Sequence, residues 1–422
     1  MQTAVLRRRA LGVGLVAMLA SSPGQTYMVS AFHGSWTAEL GLSKTELGSW
    51  YAGGSVAASL CLVAVGRLSD SRGPRFTLAL VALALAAGCG VMSLAAGGLS
   101  LALGFFLIRL FGQGSMGLVS GHAVALAFDK GLGKAEGLRV SAISVAVGLA
   151  PGLAVWLIDV VGWRTAYLVL GAAVVAAVVP ASRLLPRPRA AVDANPSDSS
   201  GEATGVVPDD EGGDRRPDLE GGHSLAEALR TRNYALIGAA IVLHAAGVTA
   251  VHFHSQPLFG ALGLDGPVAA ARGMSVFAAC MLAASLSGGW FVDRTRTGVP
   301  FAVSSTAMGA SLLLLDGRLG AGGAFAGMGL LGLAQGLAGV AIVPSVAACF
   351  GRRHFGAVRG SFATLTVAGA SLGPIVLGYA ADRGGFAPGL QVFAACCIPV
   401  AALSWCLIRP RPATANSSPG LT

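Results

Sequence analysis

The most informative ten residues of the chain read Gly66-Arg67-Leu68-Ser69-Asp70-Ser71-Arg72-Gly73-Pro74-Arg75. They hold one acid among three arginines, with glycines that permit close helix packing and a turn. On each side lies an apolar run long enough to cross a bilayer. A short basic loop between two such runs is typical of a membrane hairpin whose loop faces the cytoplasm.

The composition of the chain agrees with this interpretation. Of 422 residues, 54% are hydrophobic and 12% are charged, which is more apolar surface than one soluble core can bury. The net charge of +9 comes from short loops and not from a basic stripe, so the lipid bilayer and not nucleic acid is the predicted partner. The seven cysteines lack the paired spacing of a metal site, and no nucleotide-binding loop or activated nucleophile occurs. We therefore predict no metal, no cofactor and no enzymatic activity.

Apolar runs broken at charges and at Gly/Pro clusters predict an all-α membrane protein with twelve transmembrane helices. The first six are predicted at 10–33, 44–66, 75–97, 101–126, 139–159 and 164–183. The second six are predicted at 233–256, 268–292, 299–315, 321–348, 359–381 and 387–408.

These helices fall into two groups separated by a polar stretch. Residues 1–183 form the predicted N-terminal six-helix bundle, and residues 233–422 form the C-terminal bundle with a short cytoplasmic tail. Between them, residues 184–232 hold ten of the twenty acidic residues and almost no large apolar ones, which predicts a disordered cytoplasmic linker. Within it, Ser224 to Arg232 is predicted to form a short amphipathic helix.

The distribution of Lys and Arg among the loops predicts the orientation. Alternate loops and the two termini together carry 23 basic residues, whereas the opposite loops carry five. Because basic loops stay in the cytoplasm, we predict a multi-pass protein of the bacterial inner membrane with both termini cytoplasmic.

The two halves of the chain repeat each other. Gly66, Asp70, Pro151 and Gly162 recur as Gly289, Asp293, Pro374 and Gly385, all at an offset of 223 residues. Agreement among separate loops and helices predicts two pseudo-symmetric six-helix bundles, an arrangement from which secondary transporters build a site at the bilayer midplane.

Three motifs connect the chain with a known family. The loop from Gly66 to Arg75, with a weaker copy in Gly289-Trp290-Phe291-Val292-Asp293-Arg294, resembles the signature loop of the major facilitator superfamily. Arg109-Leu110-Phe111-Gly112-Gln113-Gly114 and Gly148-Leu149-Ala150-Pro151-Gly152 resemble two further motifs of that superfamily. The resemblance covers essentially the whole chain and implies the major facilitator fold, alternating access and a monomer.

Two shorter stretches resemble a branch of that superfamily. Phe350-Gly351-Arg352-Arg353-His354-Phe355-Gly356 and Gly162-Trp163-Arg164 are similar to the bacterial branch related to monocarboxylate and oxalate/formate carriers. Monocarboxylate carriers hold the substrate with an arginine deep in helix eight. Here the matching place is near Ser285 and helix eight has no buried Arg, which argues against simple monocarboxylate transport.

The superfamily fold implies that helices one, four, seven and ten line the cavity. In helix four, Arg109 is the one clearly intramembrane charge, and no Asp or Glu lies deep in a predicted helix. A charge at the bilayer centre costs roughly 2.5 to 3.5 kcal/mol, so Arg109 is predicted to face the bundle interior, as an anion-binding, proton-coupling or purely structural group. Gln113 and its counterpart Gln335 are predicted to bind substrate across the pseudo-twofold axis, or else to join helices.

Helices seven and one supply the remaining candidates. His244 and His252 share a face of helix seven, and an imidazole can carry the coupled proton, with His244 also predicted to bind substrate. The alternative is a neutral ring bonded within the bundle. In helix one, Gln25 and Tyr27 are predicted substrate ligands beyond Pro23 and Gly24, which loosen the helix there, or else belong to an ordinary kink.

The resemblance also implies a set of residues that control the change between conformations. They are Gly66, Asp70, Arg72, Gly73, Arg75, Pro151, Asp293 and Arg294.

One buried cation with amides and histidines, and no buried acid, favours an organic anion as the transported small molecule. We therefore predict a secondary active transporter driven by a proton gradient or by exchange, since the chain has no loop for ATP hydrolysis. The alternative is a proton-coupled efflux pump for drugs or toxic compounds, because sequences similar to Gly148–Gly152 occur in antiporters.

Overall fold

A computed structural model describes residues 2–42, 44–186 and 222–410, and almost all of them are helical. The long helices are Gln2–Ala20, Lys44–Ser93, Gly98–Ile108, Gly117–Ala127, Leu132–Ser182, Arg232–Phe253, Gly266–Arg294, Gly298–Leu314, Gly320–Phe350, Phe355–Gly384 and Phe386–Leu407. Shorter helices are Thr26–Val29, His33–Leu40, Leu225–Leu229 and Ser255–Ala261. Within these ranges the β-structure amounts to one isolated bridge, between Gly222 and Gly351.

Two helices of about fifty residues each contain two membrane passes. Lys44–Ser93 bends at Gly73 (φ 78°) and Leu132–Ser182 bends at Gly162 (φ 76°), a backbone conformation that glycine adopts without strain. In the described part of the chain, eight helices are long and apolar enough to span a membrane, and Gly298–Leu314 is shorter but apolar. With the two bends and the N-terminal helix, the predicted all-α bundle of twelve segments is confirmed.

We number these segments in chain order. Segment one begins with Gln2–Ala20, segments two and three lie in Lys44–Ser93, and segment four is Gly98–Ala127. Segments five and six lie in Leu132–Ser182. Segments seven to twelve are Arg232–Phe253, Gly266–Arg294, Gly298–Leu314, Gly320–Phe350, Phe355–Gly384 and Phe386–Leu407.

Segment one is interrupted. The helix ends at Ala20, a 3-10 turn covers Ser22–Gly24, and Thr26–Val29 resumes helical structure. Proline lacks the amide hydrogen that an α-helix needs, so the predicted loosening at Pro23 and Gly24 is confirmed, whereas the continuous helix predicted over 10–33 is wrong.

Segment four contains a π-helical stretch, Arg109–Met116, between two α-helical parts. The prediction of a regular helix over 101–126 did not include it. The stretch packs closely against segment one, where a Cβ on Gly112 would lie 2.8 Å from Gly24 Cα. Stretches of π-helix often mark functional sites.

Each half has its own apolar core, and a third cluster joins the halves. This third cluster includes Val124 and Leu132 from the first half and Ile237 and Val343 from the second. It lies near the end of the bundle that carries Arg7 and Arg409, which we call the terminus end. Arg7 Nε there donates to Ala127 O at 3.3 Å.

The stretch between the halves is only partly described. Residues 187–221, which make up most of the predicted disordered linker, and residues 411–422 of the predicted tail lie outside the described residues. The predicted helix before segment seven is present as Leu225–Leu229, with Ser224 and Glu227 capping its first turn.

Candidate transport site and gate

Asp70 holds the two halves together at the terminus end. Its Oδ1 accepts from Gly356 N–H at 2.7 Å and its Oδ2 from Ala357 N–H at 2.9 Å. These amides belong to the first turn of segment eleven, where backbone N–H groups have no partner within the helix. A carboxylate is favoured there by hydrogen bonding and by the helix dipole.

Asp293 repeats the contact in the opposite direction. Its oxygens accept from Gly133 N–H at 2.6 Å and Lys134 N–H at 3.0 Å, in the first turn of segment five. Gly133 and Lys134 precede Gly356 and Ala357 by 223 residues, the offset of the repeat. The fold thus contains two symmetric carboxylate-to-helix contacts, which we call the paired latch.

Glycines let the helices approach closely enough for the paired latch to form. A Cβ on Gly66 would overlap the backbone of Gly356, and a Cβ on Gly289 would overlap the backbone of Gly133. Glycine at position 66 therefore permits the close approach of segments two and eleven that brings Gly356 to Asp70.

Further contacts close the same end. Arg352 donates to Asp129 Oδ1 at 2.7 Å and to Phe128 O at 2.8 Å. Deeper in the bundle, Thr364 Oγ1 donates to Ser59 O at 2.6 Å, near the middle of segment two. Among the described residues, the hydrogen bonds between the halves all lie between the terminus end and this point. The conformation is closed at the terminus end.

Of the other predicted gating residues, all but Pro151 lie near the latch, with different partners. Arg75 Nη1 donates to Leu185 O at 3.3 Å, and Gly73 forms the bend. Arg72 lies over the Phe76 ring and Arg294 over the Trp290 ring, each within its own half. Pro151 lies inside segment five, away from these contacts.

A buried histidine supports the latch and was not foreseen. His122 Nδ1 shares a hydrogen bond with Ser69 Oγ at 2.8 Å, and its Nε2 lies 3.8 Å from Asp70 Oδ1. The ring stacks on Phe355. No periodic signal in segment four separates His122 from a packing residue, so the sequence offered no means of finding it.

Arg109 is buried, and its Nε and Nη1 donate to groups within the first half. Nη1 donates to Gly24 O and Thr26 Oγ1, both at 3.1 Å, and Nε donates to Ser55 Oγ at 3.2 Å. The guanidinium lies 5.0 Å from the centre of the Tyr51 ring. Arg109 thus ties the break in segment one to segments two and four.

The predicted amide and phenol ligands do not gather around Arg109. Gln25 Nε2 donates to Ser21 Oγ at 3.1 Å, and the Tyr27 hydroxyl shares a hydrogen bond with Ser22 Oγ at 3.2 Å. Gln113 Oε1 is buried and accepts no hydrogen bond from the described residues. Gln335 is partly buried in segment ten.

The segment-seven histidines lie in the second half. His244 is 4% exposed, and neither ring nitrogen has a hydrogen-bond partner within the described ranges. His252 is partly buried, packs edge-on against Phe277 at 4.6 Å and leaves Nε2 unpartnered there. His244 therefore has unused donor and acceptor capacity inside the protein.

Segment five corrects the expectation that no acid is buried. It begins at Leu132 and not near residue 139, so Glu136 and Arg139 both lie within the helix. Glu136 is 0% exposed and Arg139 is 2% exposed. Arg139 Nε and Nη2 donate to the two Glu136 oxygens at 2.8 and 2.6 Å, which makes a two-bond ion pair.

Arg359 on segment eleven is a third charge, which stood at the first position of the predicted helix 359–381 and lies one turn inside the observed helix. It interacts electrostatically with both Glu136 and Arg139. Its Nε is buried and donates to no acceptor in the part of the chain that the structure describes. Arg109 is thus not the one buried charge in the described helices, because hydropathy windows end at charged residues even where a helix continues.

Comparisons with known proteins bear on this architecture. The family model described as Major Facilitator Superfamily matches residues 13–318. A solved structure titled the human organic anion transporter MFSD10 (TETRAN) superposes with a TM-score of 0.71, covering 94% of this chain and 99% of that one. The two sequences are 15% identical, so the likeness concerns the fold alone. No curated protein matches the chain in sequence.

Proposed function

Because the chain belongs to the Major Facilitator Superfamily, it is a transporter and not an enzyme, and we propose that its solute is a small organic anion. The observation that carries this proposal is the charge inside the helices. Arg109, Arg139 and Arg359 are buried or partly buried within helices, and Glu136 pairs with one of them, Arg139. Burying a surplus cation is costly unless an anion accompanies it.

The paired latch supports transport by alternating access. Four charge-assisted hydrogen bonds from Asp70 and Asp293 hold the terminus end closed, and they involve helix ends that separate when the halves rotate. Breaking both contacts and forming new ones at the opposite end would expose the cavity to the other side of the membrane. A proton gradient or exchange drives this cycle in the proposal.

The finer assignments are also proposals. The motif at Phe350–Gly356 supports placement near the monocarboxylate and oxalate/formate carriers, and the loop charges support an inner-membrane location with cytoplasmic termini. The carrier acts as a monomer. His244 and His252 remain candidates for the coupled proton, since an imidazole titrates near physiological pH when unperturbed.

Proton-coupled efflux of drugs or toxic compounds is the second candidate. Glu136 favours it, because a buried carboxylate is a suitable proton carrier. The sequence had predicted no buried acid, and that prediction had counted against this alternative. The Gly148–Gly152 motif in segment five supports the same alternative.

A binding screen separates the two proposals. The melting temperature of the purified protein is measured with benzoate, lactate, oxalate, amino acids, sugars and cationic dyes. The Arg109→Ala variant is measured under the same conditions. Stabilisation by carboxylates supports the anion carrier, since a ligand at a hundred times its Kd adds about 2.7 kcal/mol. Stabilisation by lipophilic cations alone, in parent and variant, contradicts it and favours efflux.

A further inference from the structure

Glu136 and Arg359 occupy equivalent positions in the two halves. They are separated by the repeat offset of 223 residues, as are the latched residues Gly133 and Gly356. Each lies three residues beyond the latched glycine, or about 4.5 Å deeper along its helix. The two opposite charges therefore lie on either side of the pseudo-twofold axis, one turn inside the closed end.

Arg139 is fully engaged within the first half. Besides Glu136, its guanidinium contacts Ser120 Oγ at 3.0 Å and the Met18 sulfur at 2.8 Å through Nη1. A Cβ built on Gly121 would lie 3.5 Å from Arg139 Nη2 and 3.1 Å from Val343 of segment ten. The ion pair is thus wedged between segments one, four and five, beside the other half, and is electrically neutral as a unit.

The neutral Glu136–Arg139 pair leaves the positive charge of Arg359 without a counter-ion of its own. Arg359 is more exposed than Glu136 and Arg139, and its buried Nε donates to no acceptor within the described residues. Both oxygens of Glu136 already accept from Arg139. The three groups together carry a charge of +1, and the two arginines repel each other. A monovalent anion beside Arg359 would offset this charge.

We propose that Arg359 binds the carboxylate of the transported solute at a site shared by both halves, next to the Glu136–Arg139 pair. This inference rests on the proposed function and names its site. Glu136 competes with the solute for positive charge, so it limits affinity and favours release. Opening of the paired latch one turn away carries Arg359 away from Glu136 and Arg139, which couples the bound anion to the conformational change.

Four variants of the full-length protein test the site. Benzoate and lactate binding is measured by thermal shift and by uptake into proteoliposomes, with benzamide as the uncharged analogue. Arg359→Gln is expected to weaken carboxylate binding at least tenfold, and Arg359→Lys less, because lysine keeps the charge but not the planar fork. Glu136→Gln is expected to strengthen binding several-fold. Arg353→Gln, an exposed arginine six residues away, is the matched control and is expected to bind as the parent does.

The outcomes distinguish the site from the function. If the parent binds carboxylates and monodisperse Arg359→Gln binds them equally well, the site is wrong and the anion carrier stands. If Arg359→Gln does not fold, Glu136→Gln decides, since unchanged or weaker binding in that variant overturns the inference. If the parent binds no carboxylate, or binds benzamide as tightly as benzoate, both the site and the proposed function fail.

Discussion

At the scale of single residues, three arginines in the protein interior have different partners and therefore different roles. Arg109 finds partners in the broken backbone of segment one, Arg139 finds them in Glu136, and Arg359 Nε donates to no acceptor among the described residues. The same side chain thus serves as a brace, as half of an ion pair and, in our proposal, as a ligand.

The Glu136–Arg139 pair predicts an asymmetric mutational response. Arg139→Ala leaves a carboxylate buried without its partner, so we expect a loss of about 3 to 5 kcal/mol. The double variant Glu136→Gln with Arg139→Gln removes both charges, and we expect it to lose much less. Apparent melting temperatures in detergent compare the two. Equal losses would show that packing and not the charge pair dominates.

Arg109 predicts a purely local defect. Arg109→Lys cannot reach Gly24 O, Thr26 and Ser55 together, because lysine lacks the guanidinium fork. We expect a loss of about 1 to 3 kcal/mol from the donors and acceptors left buried. The measurement is again the apparent melting temperature, with the exposed Arg9→Lys as control. A variant as stable as the parent would contradict the bracing role.

At the scale of elements, helix ends carry the contacts between the halves. Segments five and eleven each present unpaired N–H groups to an aspartate from the opposite half. A contact between side chains joins the short helix His33–Leu40 to the start of segment six, where Glu39 accepts from Trp163 Nε1 and from Arg164 Nε.

The latch predicts a shift in conformation when one carboxylate is neutralised. Asp70→Asn is expected to weaken closure by about 1 kcal/mol, the usual cost of losing a capping side chain. That is about a fivefold change in the population of the open terminus end. The readout is the rate at which a maleimide alkylates Ala125→Cys, which is buried between the halves, in a protein without other cysteines. Asp159→Asn, an exposed acid, is the control, and equal rates in both variants would contradict the latch.

The Glu39 contact predicts a dependence on pH. The hydrogen bond from Trp163 and then the bond and charge of Arg164 lower the pKa of Glu39 below its usual 4.5. A carboxylate with a lowered pKa in the folded state stabilises the protein above its unfolded-state pKa, and this contribution is lost as the pH falls through the folded-state pKa. We expect the melting temperatures of the parent and Glu39→Gln to differ at pH 7 and to converge in acid. A gap that persists in acid would contradict the contact.

At the scale of the whole molecule, the loop charges predict that the closed terminus end faces the cytoplasm. In a protein without native cysteines, we expect Arg318→Cys to react with a membrane-impermeant maleimide in intact cells. Arg296→Cys, in a basic loop on the other side, is expected to react only after permeabilisation. Reaction of both, or the reverse pattern, would contradict cytoplasmic termini.

Apolar periodicity, loop charge and the internal repeat were sufficient to predict the twelve segments, the kink at Pro23 and the paired aspartates. Each of these depends on interactions that are local or that recur at a constant offset along the chain. The amide partners of Asp70 and Asp293 required the tertiary structure, because the helices that supply them lie far away in sequence.

The buried charges were missed for a related reason. A hydropathy window treats Glu136, Arg139 and Arg359 as the boundary of a membrane helix, since an isolated charge in lipid is unfavourable. Glu136 and Arg139 offset that penalty in part by pairing across one helical turn of segment five, and tertiary packing adds contacts from Met18 and Ser120 on other segments. Which helices span the membrane follows from the free energy of each segment in lipid, whereas which charges lie inside depends on partners that only the folded bundle brings together.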